Sequence, residues 1–504
     1  YNKFPGRPTP MDIEWAKDGP DGSLYILQAR PETIHASADS NLLIQYNLDG
    51  DGKVIVQGQA VGDRIGSGPV RLVNDAKQLE EVQSGDILVA AATTPDWEPA
   101  MKRSAAIITE HGGRTCHAAI VARELGIPVI VGAADARKFL AAGQKVTVDC
   151  SQGMTGNVLE GQIPFSVNSV DITKLDRPDV DLMVNLANPG AAFRVAALPV
   201  AGVGLARMEF VIANEIQAHP MALLSPGRVR DGETRKQIAA LSARHQSGAD
   251  YFVSRLAEEI ATIAAAFYPR PVIVRTSDFK SNEYASLLGG SDFEEPENNP
   301  MIGFRGASRY IHPAYQPAFD LECQALKRVR DDMGLSNVII MIPFCRTIEE
   351  AKRVIKLMSK NGLTQGVNSL EIYMMCEIPS NVVLIDEFAK YFDGVSIGSN
   401  DLTQLVLGVD RDSEILAADF DEEDLAVTLM IEQAIAGAHR HGLKCGICGQ
   451  APSDRPDFAD WLVTKQIDSI SLSPDSVLAV MQRLSDAKPQ LSERAIEAPM
   501  ASVN

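Results

Sequence analysis

Long apolar runs are missing from this 504-residue chain. No stretch approaches the roughly 18 uninterrupted apolar residues that a bilayer-crossing helix needs, so no membrane span is expected. Positive charge is also short: 47 Lys+Arg stand against 66 Asp+Glu, a net charge of -19. That argues against a nucleic-acid partner, because binding a phosphate backbone needs concentrated cationic side chains. A few local arginines could still make an anion site inside an acidic protein. The seven cysteines are odd in number and scattered, which excludes a disulfide framework and reads as reduced thiols in a cytoplasmic protein. No secretory leader is visible. The chain opens on Tyr1, and YNKFPGRPTPMDIEW reads like the interior of something longer, so a fragment or processed product is expected. A composition of 45% hydrophobic and 22% charged residues is ordinary for globular proteins, and the length predicts two to four domains.

The Gly/Pro/Asp cluster Asp18-Gly19-Pro20-Asp21-Gly22 lies between Met11–Trp15 and Leu24–Gln28, which predicts a hairpin. Two strands alone are not stable, so the hairpin must dock or belong to a larger domain. Residues 39–165 read as a compact β-rich domain with short apolar runs at 54–56, 68–73, 87–91, 105–109 and 145–149, plus a helix over Thr115–Leu125 that Gly126 and Pro128 stop. From about 180 the rhythm changes. Strand candidates Met183–Leu186, Val203–Ala206, Val272–Arg275, Val338–Ile342, Leu370–Met375, Gly394–Ile397, Cys445–Cys448 and Ile470–Leu472 alternate with helical stretches. The predicted fold is therefore multidomain α/β, a β-rich domain followed by a (β/α)8 TIM-type barrel. An open doubly wound sheet is the alternative. The 207–270 gap must hold extra helices, and Ile302–Phe304 is placed in a loop.

The most informative stretch is Glu110-His111-Gly112-Gly113-Arg114-Thr115-Cys116-His117-Ala118-Ala119. A strand ends at Thr109, a Gly-Gly turn follows, and Thr115 can cap the next helix. His117 then falls in the first turn, where free N–H groups and the dipole favour an anion such as a phosphoryl group on the imidazole. Ala118 and Ala119 keep that face open. The plainer reading is a capped helix with an incidental histidine.

In a TIM barrel, function collects at the C-terminal ends of the strands. There the sequence places Arg207, Arg275, Glu377, the run Gly398-Ser399-Asn400-Asp401, and Cys448. Glu377 and Asp401, hard oxygen donors on adjacent strand ends, can share Mg2+. Two arginines can grip phosphate oxygens bidentately. Cys448 is a candidate proton donor and acceptor if arginines and a cation lower its pKa. Singly, each carboxylate could be only a cap or salt bridge. Cys445-x-x-Cys448 could be half a zinc site or a redox pair, but no second ligand pair is evident, and Cys445 reads as packing.

The His117 segment resembles the phosphohistidine domain of the PEP (phosphoenolpyruvate)-utilising enzymes, and the strand-end motifs resemble that family's PEP/pyruvate-binding barrel. The resemblance covers nearly the whole chain. It implies that His117 carries a phosphoryl group, that Arg207 and Arg275 bind substrate, that Glu377 and Asp401 hold Mg2+, and that Gly398, Ser399 and Asn400 line the site. Arg305 in Asn299-Pro300-Met301-Ile302-Gly303-Phe304-Arg305-Gly306 and Arg411 in Gly408-Val409-Asp410-Arg411 match further family motifs, though arginines at such places often serve only exposed pairs. Asp12–Trp15 and Gln28–Thr33 are similar to the last strands of the family's ATP-grasp domain. Residues 1–38 then read as its remnant and linker, with Glu14, Gln28 and Arg30 as leftover nucleotide-site residues. The rest divides into a swivelling phosphohistidine domain (39–165), a linker (166–180) and the barrel (181–504), with hinges near 36–40 and 166–180.

The stretches Arg275–Tyr284 and Gly449–Asp454 resemble the PEP synthase branch more than its relatives. That branch implies ATP, pyruvate and water giving AMP, PEP and phosphate, with only the PEP/pyruvate half-reaction left to this chain. It also implies a homodimer through the barrel and makes Thr115 a candidate for regulatory phosphorylation. A dikinase using phosphate, another PEP-utilising phosphotransferase, and a non-catalytic regulatory or scaffold module are the alternatives.

Overall fold

Runs of aliphatic and β-branched residues separated by Gly, Pro and Asp set the strands of the first part of the chain. In the computed structural model, residues 11–17, 23–31, 42–62, 64–93, 97–112, 118, 126–151, 155–171, 178–410, 414–416, 419–474 and 476–485 are described. The chain divides into two units, Tyr1–Lys174 and Leu175–Asn504.

The predicted hairpin forms: β1 (Met11–Lys17) pairs antiparallel with β2 (Leu24–Pro31), with a bulge between Glu14 and Trp15. β4 (Val54–Val61), β5 (Ile65–Leu72), β6 (Ile87–Ala90), β7 (Ala106–Thr109), β8 (Val129–Val131), β9 (Lys145–Asp149) and β10 (Thr155–Glu160) close into a seven-stranded barrel. Its strands β5 to β8 run parallel and the other pairs antiparallel. β6 is apolar at every position because both of its faces are covered. Ile87 and Val89 join one buried cluster, Leu88 and Ala90 another. β3 (Leu42–Leu48) pairs antiparallel with β11 (Phe165–Asp171). Residues 166–171, read from sequence as linker, are thus strand: Val167 and its neighbours satisfy their backbone across the ladder with β3.

The second unit is a closed barrel of eight parallel strands: β12 (Asp181–Leu186), β13 (Gly202–Arg207), β14 (Val272–Arg275), β15 (Val338–Ile342), β16 (Ile372–Cys376), β17 (Gly394–Ile397), β18 (Lys444–Ile447) and β19 (Ser469–Leu472), which returns to β12. The 207–270 gap holds extra helices as expected. The main one, Gly248–Phe267, is capped by Ser247, whose side chain accepts from Asp250 N. It buries Phe252, Leu256, Ile260, Ile263 and Phe267 at helical spacing, each worth about 1.5–3 kcal/mol of burial. Ile302–Phe304 is a loop. No described helix is long and apolar enough to cross a membrane.

Candidate active site

Parallel strands deliver every C-terminal end to one mouth, so residues far apart in sequence meet there. Arg207 ends β13 and Arg275 ends β14, paired with each other in the sheet register. Arg275 donates from Nη2 to Glu209 Oε1 at 3.0 Å and lies 3.8 Å from Asp278. The same Glu209 oxygen accepts from Asp278 N at 2.5 Å, so one carboxylate fixes both the arginine and the loop after it. Burial opposes charge on Arg275, but Glu209, Asp278 and Glu377 outweigh it and hold its pKa above the ordinary arginine value.

Arg305, a candidate from its motif, does not serve an exposed pair. It is 2% exposed. Asp278 takes it bidentately, from Nε at 3.0 Å and Nη2 at 2.5 Å, and Asp401 accepts from its Nη1 at 3.2 Å. The guanidinium stacks 4.1 Å over the Phe344 ring. The loop around 302–304 therefore carries a charged side chain into the mouth, between Asp278 and Asp401.

Glu377 follows β16 and is 1% exposed. Its Oε1 accepts from Phe344 N at 2.7 Å, on a residue held at φ 47°. Burial pushes its carboxyl up to about 8, with repulsion from Asp401 and Asp278 adding to it and Arg305 and Arg275 pulling back. Gly398 after β17 must be glycine for Glu377 to fit, since a Cβ there would stand 2.9 Å from Glu377 Cβ and 3.0 Å from Oε2. Two crowded, mutually repelling carboxylates are a donor set that a divalent cation would relieve, with waters and substrate oxygens filling the remaining positions. No cluster of three or more His, Cys, Asp or Glu suited to a metal occurs among the described residues, so any cation here depends on those other oxygens.

Cys448 follows β18 at 3% exposure. Its Sγ donates to the Ile397 carbonyl at 3.6 Å. Burial dominates and pushes the thiol up, while nearby Ser396 and the charges of Arg275 and Arg207 pull down and Glu377 pushes up. In the protein alone, dehydration outweighs the pull of the two arginines. Ser399 is buried but gives its hydroxyl to Glu422. Asn400 Oδ1 accepts from Gln450 N at 3.3 Å. Arg275 Nε, Glu209 Oε2 and Asn185 Oδ1 are buried with no hydrogen-bond partner among the described residues. Unsatisfied polar atoms at a strand-end mouth are where a polar ligand would bind.

The mouth thus gathers Arg207, Arg275, Arg305, Gly398, Glu377, Asp401 and Cys448. Glu14 and Gln28 face each other in register on the hairpin and are exposed, with Arg30 opposite Asp12. His117, with Thr115 and Cys116, and Arg411 lie outside the described residues. Sequence reasoning gave no role to Glu209, Asp278 or Glu322. Glu209 stands two residues past Arg207 and Asp278 three past Arg275, a spacing that could have flagged both. Glu322 on a remote helix accepts from Ser277 N and Oγ at 3.1 and 2.5 Å, holding the Arg275–Asp278 loop from behind; no local signal announces it.

The PEP-binding domain of PEP-utilising enzymes matches residues 166–488, the mobile domain of the same enzymes residues 82–153, and the AMP/ATP-binding domain of pyruvate phosphate dikinase residues 3–46. The chain is 53% identical over 492 residues to the phosphoenolpyruvate synthase of Synechocystis, covering 97% of this chain and 60% of that protein. It is 50% identical to that of Escherichia coli (95% and 60%) and 48% to that of Helicobacter pylori (98% and 62%). The chain therefore spans about three fifths of the length of the curated relatives it matches. Among solved structures, a citrate synthase variant aligns at TM-score 0.33 and 16% identity, over 63% of this chain and 95% of its own.

Proposed function

The chain belongs to the PEP-utilising enzymes, and on that premise we propose that it is the phosphohistidine and PEP-binding portion of a phosphoenolpyruvate synthase, competent for the PEP/pyruvate half-reaction. The observation that carries this reading is the strand-end mouth, which holds three arginines, two crowded carboxylates and a buried thiol.

PEP brings a phosphate and a carboxylate to Arg207, Arg275 and Arg305, whose forked donors match both groups. A ring nitrogen of His117 attacks phosphorus, and the bond from phosphorus to the enol oxygen breaks, leaving phosphohistidine and pyruvate enolate. The Cys448 thiol gives its proton to the methylene carbon, forming pyruvate, and the thiolate recovers a proton from solvent. A thiol whose pKa burial has raised is in the protonated form this direction requires. In synthesis the steps reverse. Glu377 and Asp401 would hold Mg2+, which when bound supplies positive charge to the phosphate and enolate oxygens.

With a complete nucleotide domain, ATP would charge His117, and AMP and phosphate would leave. The first unit is proposed to swivel so that His117 serves both sites, and the barrel to form the dimer. Incubating the chain with labelled PEP and Mg2+ tests the central claim. Acid-labile label is expected on the parent and absent from His117→Ala. Equal labelling of the two would remove His117 as carrier.

A further inference from the structure

A cavity of about 880 Å³ opens at the opposite end of the eight-stranded barrel, among the N-terminal ends of the strands. That is the size of small-molecule sites, and the volume is unexpected, because bulky layers usually fill a TIM barrel. Small residues stand among the lining positions, Gly204, Gly446, Ser396 and Ser471, with the Ser471 and Ser469 hydroxyls packed over Gly204 and Gly446. The inner wall is apolar, with Met183, Ile273, Ile339 and Val395. Ser471 is 2% exposed, lines the cavity, and its hydroxyl has no hydrogen-bond partner among the described residues. The mouth carries Asp179, Asp181, Glu371 and Asp468 against Lys444. Asp468 already accepts from Cys445 N and pairs with His439, while Asp181 and Glu371 are exposed at the rim.

We propose that this end of the barrel is a second ligand site for a small organic amine. The apolar body enters between Met183, Ile273 and Ile339, and a hydroxyl or carbonyl along it can meet Ser471. The ammonium stays at the rim, where net negative charge concentrates cations and water still hydrates the head group. Anionic ligands, which the arginine-lined mouth at the other end takes, are repelled here. The cavity is not isolated from that mouth: Ser396 lines it, and the Cys448 thiol donates to the carbonyl of the next residue on the same strand, Ile397, at 3.6 Å. An occupant therefore touches the strand that holds the candidate proton donor. The site itself stands whether or not the proposed reaction does.

The test is titration of the full chain with hexylamine, and with hexanol and hexanoate as arms of matched length, read by calorimetry and thermal shift. Hexylamine is expected to bind saturably and raise the melting temperature, hexanol to bind more weakly, and hexanoate roughly tenfold or more weakly than the amine. Changing Asp181→Asn and Glu371→Gln together should weaken hexylamine about tenfold and leave hexanol unchanged. Ile339→Phe, which fills the cavity, should abolish all binding; if that variant does not fold, the rim variant still decides. Amine binding no tighter than hexanoate, or unchanged in the rim variant, overturns the proposal.

Discussion

Asp278→Asn is the sharpest probe of the mouth. Two ion pairs share an N···O distance of 2.5 Å, Arg305 with Asp278 and Arg230 with Asp292. Their surroundings differ: the Arg305 and Asp278 side chains are 3% and 1% exposed, whereas Arg230 is 83% exposed. Solvent screens the second pair, so distance does not set its worth. In the first pair, asparagine keeps the shape but loses the charge and one acceptor, and turns an N–H toward the guanidinium. Removing one partner of a buried pair costs about 3–5 kcal/mol, because the other charge stays buried. Arg305 keeps Asp401 and the Met301 carbonyl, which points to the lower end, about 3 kcal/mol. For a unit this large each kcal/mol moves the melting temperature by about 2 °C, so a drop of about 6 °C is expected by calorimetry. Asp292→Asn, the control, should leave it near the parent value. A shift of less than about 1 °C for Asp278→Asn would refute the view that the pair is dry and mutually dependent.

Gly398→Ala should destabilise by about 1–3 kcal/mol, since its Cβ meets the base of Glu377 and not a movable tip; it should also raise the Mg2+ concentration needed for labelling from PEP, and a parent-like Mg2+ dependence would contradict that. Cys448→Ala should stop exchange of the pyruvate methyl protons, and normal exchange, followed by NMR, would remove it as proton donor. Glu322, which burial pushes up to about 7, gives a pH signature. The folded state holds its proton more tightly than the unfolded chain does. Stability should therefore fall as pH rises from about 4.5 to 7 and stay at the lower level above, by up to roughly 3 kcal/mol. Glu322→Gln should flatten that part of the urea-unfolding profile, and an unchanged slope would argue that another group causes it.

All eight barrel strands were legible because a strand buried on both faces reads as an apolar run, and Val272–Arg275, Val338–Ile342 and Gly394–Ile397 have the bounds foreseen. In the first unit β3, β8, β10 and β11 escaped notice. Asn157 and Gly156 in β10, and Asn168 and Ser169 in β11, dilute the apolar signal, while β8 is three residues long. Arg207, Arg275, Glu377 and Cys448 could be picked out since each directly ends or follows an apolar run, and Asp401 since it stands within one turn of the end of Gly394–Ile397. Arg305 was undervalued because it comes from a loop, where nothing local distinguishes a buried arginine from an exposed one.

The sequence by itself determined the order of strands, the strand-end positions of the charged residues and the acidic total, since these follow from periodicity and composition. Only the tertiary structure decided which charges are dry and whom they hold. Burial depends on residues distant in the chain: Glu322 meets Ser277 across 45 positions and Arg305 meets Asp401 across 96. The same closure of the barrel dehydrated the Cys448 thiol, which pushes its pKa up, and left a cavity at the opposite end, because hydration and empty volume belong to the packed assembly of strands and not to any one of them.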